Sequence, residues 1–142
     1  KNDKINKIIM KIKNKLLILG FHSFNLILII FYMYPGSIMG CYLYNNCNLE
    51  IQITQNFIIS SDYWISSNHF YVFIILSALG IFAYQNTKKL KLLIKYLFFL
   101  SIILELFHLI ITARGFEWSD LIGNILGVFF VIIIYKIKNK YV

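Results

Sequence analysis

Arginine, proline and acidic residues are nearly missing from this chain. Among 142 residues there is one arginine, Arg114, one proline, Pro35, and six aspartates or glutamates, against thirteen lysines. Only 14% of residues are charged while 59% are hydrophobic, and mean hydropathy is +0.71. A soluble domain of this size could not hide so much apolar surface, so the solvent for most of the chain is lipid. A net charge of +8 invites a nucleic-acid partner. No zinc-finger spacing, RNP-type motif or soluble basic helix accompanies it, and that class is set aside. Also lacking are a nucleophile beside a base, a paired-aspartate protease pattern, a phosphate-cradling glycine loop and a metal-ligand spacing. No complete catalytic motif can be assembled, and no cofactor and no metal are expected. The excess of lysine, asparagine and isoleucine over arginine and alanine reads as codon usage in an AT-rich genome.

What is present is a run of apolar segments flanked by lysine. The first residue is Lys1, so the translation start is expected at Met10 or upstream. Residues 1–15 hold six lysines and precede an apolar run, 16–34, of the length that crosses about 30 Å of hydrocarbon. No Ala-x-Ala-like cleavage site follows, so this helix is expected to be retained. Further helices are expected at 69–84, 92–112 and 120–135, which makes a single all-α domain over 1–142, a four-helix integral membrane bundle. The loop 35–68 has no lysine or arginine and carries Glu50, Asp62 and both cysteines. Cys41 and Cys47, with five residues between them, either form a disulfide or remain free thiols. Residues 49–59 partly alternate apolar and polar, as a short strand or an interfacial segment would. With four spans, every lysine falls on one side and Arg114 alone on the other, so both termini are expected to be cytoplasmic in a multi-pass protein of the inner membrane. Trp64 and Trp118 then lie in the outer aromatic belt.

A polar thread runs through residues 105–127. Ser101, Glu105, His108 and Thr112 share one stripe if 101–112 is helical, and Asp120, Gly123, Asn124 and Gly127 share one face of the last helix. Glu105 is the leading candidate, since a carboxylate inside a transmembrane helix costs about 2.5–3.5 kcal/mol unless it is paired or hydrated. His69, at the start of the second span, faces Glu105 if the second and third helices are neighbours. Arg114 either clamps a phosphate or carboxylate, or braces Asp120 and Glu117, with Asp120 capping the last helix. Asn124 needs a hydrogen-bond partner in lipid. His108 is either part of the site or a packing residue, His22 is read as structural, and Gly123 and Gly127 allow close helix approach. The ligand-binding set is therefore His69, Glu105, Arg114, Asp120 and Asn124, on the extracytoplasmic side.

At these positions the chain resembles the VanZ-like family, small membrane proteins named for a teicoplanin-resistance determinant. The resemblance rests on Glu105, Arg114, Asp120, Asn124 and Gly127 in order, on His69-Phe70-x-x-Phe73, and on Pro35-Gly36-Ser37 after the first helix. It covers roughly residues 30 to 130. The chain departs from the family pattern at His108, where glutamine is common, and at Ser66-Ser67-Asn68, where an Asp-Lys pair is. Its loop 35–68 is also longer. The resemblance implies a cell-envelope protein linked to lipoglycopeptide susceptibility or to surface polysaccharide. The expected partners are the bilayer and an envelope glycolipid or lipid-linked saccharide. The alternatives are a membrane enzyme using Glu105 and His69 as acid and base on a lipid-linked sugar, and a structural subunit of a larger, bacterial or organellar, membrane complex.

Overall fold

The computed structural model describes residues 2–48, 64–111 and 114–141, and over these the chain is helical. Five helices follow in order: α1, Asn2–Met33; α2, Ile38–Tyr44; α3, Ser67–Tyr84; α4, Leu90–Phe107; and α5, Trp118–Tyr141. Three of them contain stretches long and apolar enough to cross a bilayer, Ile9–Met33, Ser67–Tyr84 and Trp118–Tyr141. The fourth long helix, α4, is as apolar along most of its length but carries Lys91, Lys95 and Glu105.

The helices run past the sequence boundaries at their lysine ends, α3 and α5 also begin two residues early, and α4 stops short. Lysine is a good helix former, so α1 and α5 continue through Lys11, Lys13 and Lys15 and through Lys136, Lys138 and Lys140. Lys138 and Lys140 also lie in the last turn of α5, where positive charge suits the helix dipole. By contrast, the helix expected at 92–112 ends at Phe107. There the amides of His108, Leu109 and Ile110 turn to the carbonyls three residues back, at 3.1, 3.2 and 2.9 Å, and wind the chain into tight turns. The stripe from Ser101 is therefore cut after His108, and Thr112 lies outside the described residues. Glu50, Asp62 and the segment 49–59 also lie outside them.

Loop 35–68 contains a helix that the sequence reading did not foresee. Gly36, at φ +99°, turns the chain after Pro35, and Ser37 caps α2 by accepting from the Gly40 amide at 3.0 Å. Asn45, in the left-handed region, ends α2, and Cys41 and Cys47 are joined as a disulfide.

An apolar exterior surrounds a core that is itself mostly apolar, with Phe73, Leu76, Leu97 and Val128 at its centre and a few polar groups set among them. Ser77, Ser101, Glu105, His108 and Asn124 are buried, whereas Ile27, Ile30, Ile75, Phe82, Phe99, Ile102, Phe129 and Ile133 are exposed. Apolar exteriors on all four long helices match a hydrocarbon solvent. Helix α3 meets each of the other three, and its closest partner is α5. Gly123 and Gly127 are the reason. A methyl at Gly123 would lie 2.7 Å from the Ser66 carbonyl oxygen, and one at Gly127 2.5 Å from that of Phe70. The small-residue motif therefore brings two helices of one chain together.

Candidate functional site

One end of the bundle gathers polar side chains from four helices. The C-terminal end of α1 supplies Tyr32, the first turn of α3 His69, the end of α4 Glu105 and His108, and the beginning of α5 Asp120 and Asn124. The lysines of α1, of the α3–α4 connection and of α5 sit at the other end.

Asn124 organises the interior of the cluster. Its Nδ2 donates to the Ser101 carbonyl at 3.3 Å, which fixes the amide so that Oδ1 faces Tyr32 and His69. Oδ1 accepts from the Tyr32 hydroxyl at 2.8 Å and lies 3.2 Å from His69 Nδ1, which is itself 2.9 Å from the Tyr32 hydroxyl. Two protons satisfy this triangle if Nδ1 carries one and Tyr32 the other, so the network assigns the Nδ1–H tautomer to His69. The Tyr32 ring stacks on His108, with centroids 5.6 Å apart and planes at 17°, and meets His69 edge-on.

Two carboxylates face two imidazoles. His69 Nε2 is 3.3 Å from Asp120 Oδ2, and both side chains are about one-sixth exposed, at 17% and 16%. His108 Nδ1 is 3.3 Å from Glu105 Oε2, with both residues buried. Nε2 of His108 is 3.2 Å from the Tyr32 carbonyl, which can only accept, so its proton is engaged there. Glu105 Oε1 accepts from the Glu117 amide at 3.0 Å and ties the loop before α5 to α4. Its Oε2 has no hydrogen bond: the His108 contact is at ion-pair distance but lacks hydrogen-bond geometry.

Four of the five sequence-derived residues, His69, Glu105, Asp120 and Asn124, are thus brought together at one end of the bundle, while Arg114 and Asp120 make contacts other than those expected. Arg114 donates to the carbonyls of Phe31 at 3.3 Å, Tyr34 at 3.4 Å and Gly36 at 2.7 Å, and so caps the end of α1 and the turn after it. These are contacts that neither the anion clamp nor the brace on α5 foresaw. Asp120 does not cap α5, which begins at Trp118. It lies in the first turn, with its side chain on His69. Gly123 and Gly127 hold α5 against α3 and present no ligand group.

No family model, curated protein or solved structure matches this chain.

Tyr32 is the residue that sequence reasoning missed. It lies where an interfacial aromatic is ordinary, and nothing in the spacing of α1 marks it. His22, expected to be structural, has its Nε2 2.9 Å from the Tyr84 hydroxyl, and Asn25 Nδ2 donates to the Tyr96 hydroxyl at 2.5 Å. These four line a cleft of about 450 Å³ toward the lysine end, with Lys89 at its edge.

Proposed function

We propose that this chain is a four-span, VanZ-like protein of the cell envelope, whose polar cluster engages the headgroup of an envelope glycolipid or its precursor and lowers susceptibility to lipoglycopeptides such as teicoplanin. The observation that carries the reading is Glu105, a fully buried carboxylate surrounded by polar side chains from four helices in a bundle with an apolar exterior. A buried ionisable group in such a setting marks a functional site by default.

Helix α4 supplies the fourth span. Lys91 and Lys95 lie in its first two turns, where long side chains reach the interface, and Glu105 is sequestered from lipid. With lysine-rich ends cytoplasmic, the cluster faces outward. Because Arg114 is engaged by α1 carbonyls, headgroup contact falls to the partly exposed pair His69 and Asp120, with Glu105 beneath them. The test is growth inhibition by teicoplanin and by vancomycin in a susceptible Gram-positive host. Wild type should raise the inhibitory concentration, Glu105→Gln at matched membrane level should not, and Gly20→Ala should behave as wild type. Equal growth of all strains with and without the protein contradicts the reading.

The His69 and Asp120 pair, oriented from behind by Tyr32 and Asn124, favours one second reading, an enzyme moving a proton on a lipid-linked sugar. Under it Glu105→Gln keeps headgroup binding and loses turnover; under the binding reading Glu105→Gln loses headgroup binding and wild type shows no turnover.

A further inference from the structure

The polar cluster holds a ligand geometry that no sequence spacing could reveal. His69, Glu105 and Asp120 come from α3, α4 and α5, and one ligand atom from each lies within 4.8 Å of the other two. We propose that these three side chains bind a divalent cation of the first transition row, with zinc the best match.

Three independent observations support this. The first is the orientation of His69. Its Nδ1 is committed to the Tyr32 and Asn124 side, so Nε2 is the nitrogen that faces Asp120 Oδ2 across 3.3 Å. An imidazole anchored through its other nitrogen is how proteins orient a metal ligand, and at Nε2 a metal would take the place of the proton that makes this contact an ion pair. The second is distance. Zinc bonds of about 2.0–2.1 Å in a tetrahedron place neighbouring ligand atoms about 3.3 Å apart; Nε2 and Oδ2 already stand so, and the three ligand atoms, all within 4.8 Å of one another, would draw in onto the ion. The third is Glu105, which is fully buried, with Oε2 short of a full hydrogen bond although it stands 3.3 Å from His108 Nδ1. Glu105 and Asp120 bring two carboxylates to one end of an apolar bundle, and a divalent ion would neutralise both where two imidazoles now face them.

The donor set selects the ion. One imidazole nitrogen with two carboxylates suits zinc, manganese or ferrous iron, and zinc binds tightest of these three; magnesium and calcium prefer oxygen alone. With three protein ligands, a fourth position remains for water or an oxyanion, on the side where His69 and Asp120 are exposed. His108 pairs with Glu105 from behind and stays outside the ligand set.

The proposal is separate from the headgroup reading, because metal is measured on purified protein and protection in cells, so either can fail alone. The test uses the full chain, purified in detergent without a histidine tag, washed with chelator and equilibrated with zinc chloride. Elemental analysis should find about one zinc per chain, and His69→Ala, Glu105→Gln and Asp120→Asn should each weaken binding at least tenfold. His22→Ala, at the other end of the bundle, should bind as wild type. A hundredfold excess of magnesium should not displace the zinc. Circular dichroism shows whether each variant keeps its helices. If the three variants unfold, zinc-edge X-ray absorption on wild type decides alone: one nitrogen and two carboxylate oxygens support the site, and sulfur or several imidazoles overturn it. Wild type holding less than about one-tenth of a zinc per chain, or ready displacement by magnesium, also overturns it.

Discussion

Tyr32 does work at the residue scale that its surroundings in the sequence do not advertise. Its hydroxyl reaches both Asn124 and His69, and its ring covers His108, so one side chain on α1 sets the geometry of three others. Tyr32→Phe keeps the ring and removes the hydroxyl, leaving Asn124 Oδ1 short of one donor. The expected cost is about 1–3 kcal/mol of stability, read as a lower unfolding temperature in detergent, with helicity retained at low temperature. Arg114 behaves similarly through the backbone. Arg114→Ala strips three carbonyls of their donor and should lower the unfolding temperature, and Arg114→Lys should restore little, since a single ammonium cannot span three acceptors as the guanidinium fork does. An unchanged unfolding temperature in Arg114→Ala would return this arginine to the ligand-facing role. Glu105, His69, Asp120 and Asn124 could be found from sequence because polar groups are conspicuous against hydrocarbon. Which of them touch could not, because partners 37 to 92 residues apart meet only through helix packing.

Helices were legible where lipid sets the rule and illegible where local hydrogen bonds do. Apolar length fixed the cores of α1, α3 and α5, and the lysine runs hid their true ends because lysine serves equally in a helix and in a loop. Helix α2 escaped notice because seven residues between a capping Ser37 and a left-handed Asn45 leave too short a periodicity to read. The glycines of α5 were read as small contacts, and the structure supplies the other face of the contact, the backbone of α3. Gly127→Ala should therefore push α3 from α5 and destabilise the protein by about 1–3 kcal/mol. Gly20→Ala and Gly115→Ala, where an added methyl has no neighbour within 4 Å, should be neutral in the same unfolding assay. Equal stability of Gly127→Ala and Gly20→Ala would mean that α3 and α5 are not so close.

At the scale of the whole molecule, the four-span proposal draws on the disulfide and on the lysines by different physics. A bridge between Cys41 and Cys47 persists in an oxidising compartment, and lysine-rich ends favour the cytoplasm. Under that proposal both put the end that carries Glu105 outside. In intact cells, Cys41 and Cys47 should react with a membrane-impermeant maleimide only after reduction; labelling without reduction would show free thiols. The headgroup reading depends on α4 crossing the bilayer, which separates four spans from three. The most direct measurement is the side of each terminus, with Cys41 and Cys47 replaced by serine and single cysteines placed at Asn6 and at Lys140. Four spans predict that Asn6→Cys and Lys140→Cys are both silent to the impermeant maleimide until the membrane is permeabilised. Labelling of Lys140→Cys alone in intact cells would contradict the account, since α4 would then not cross and the two termini would lie on opposite sides.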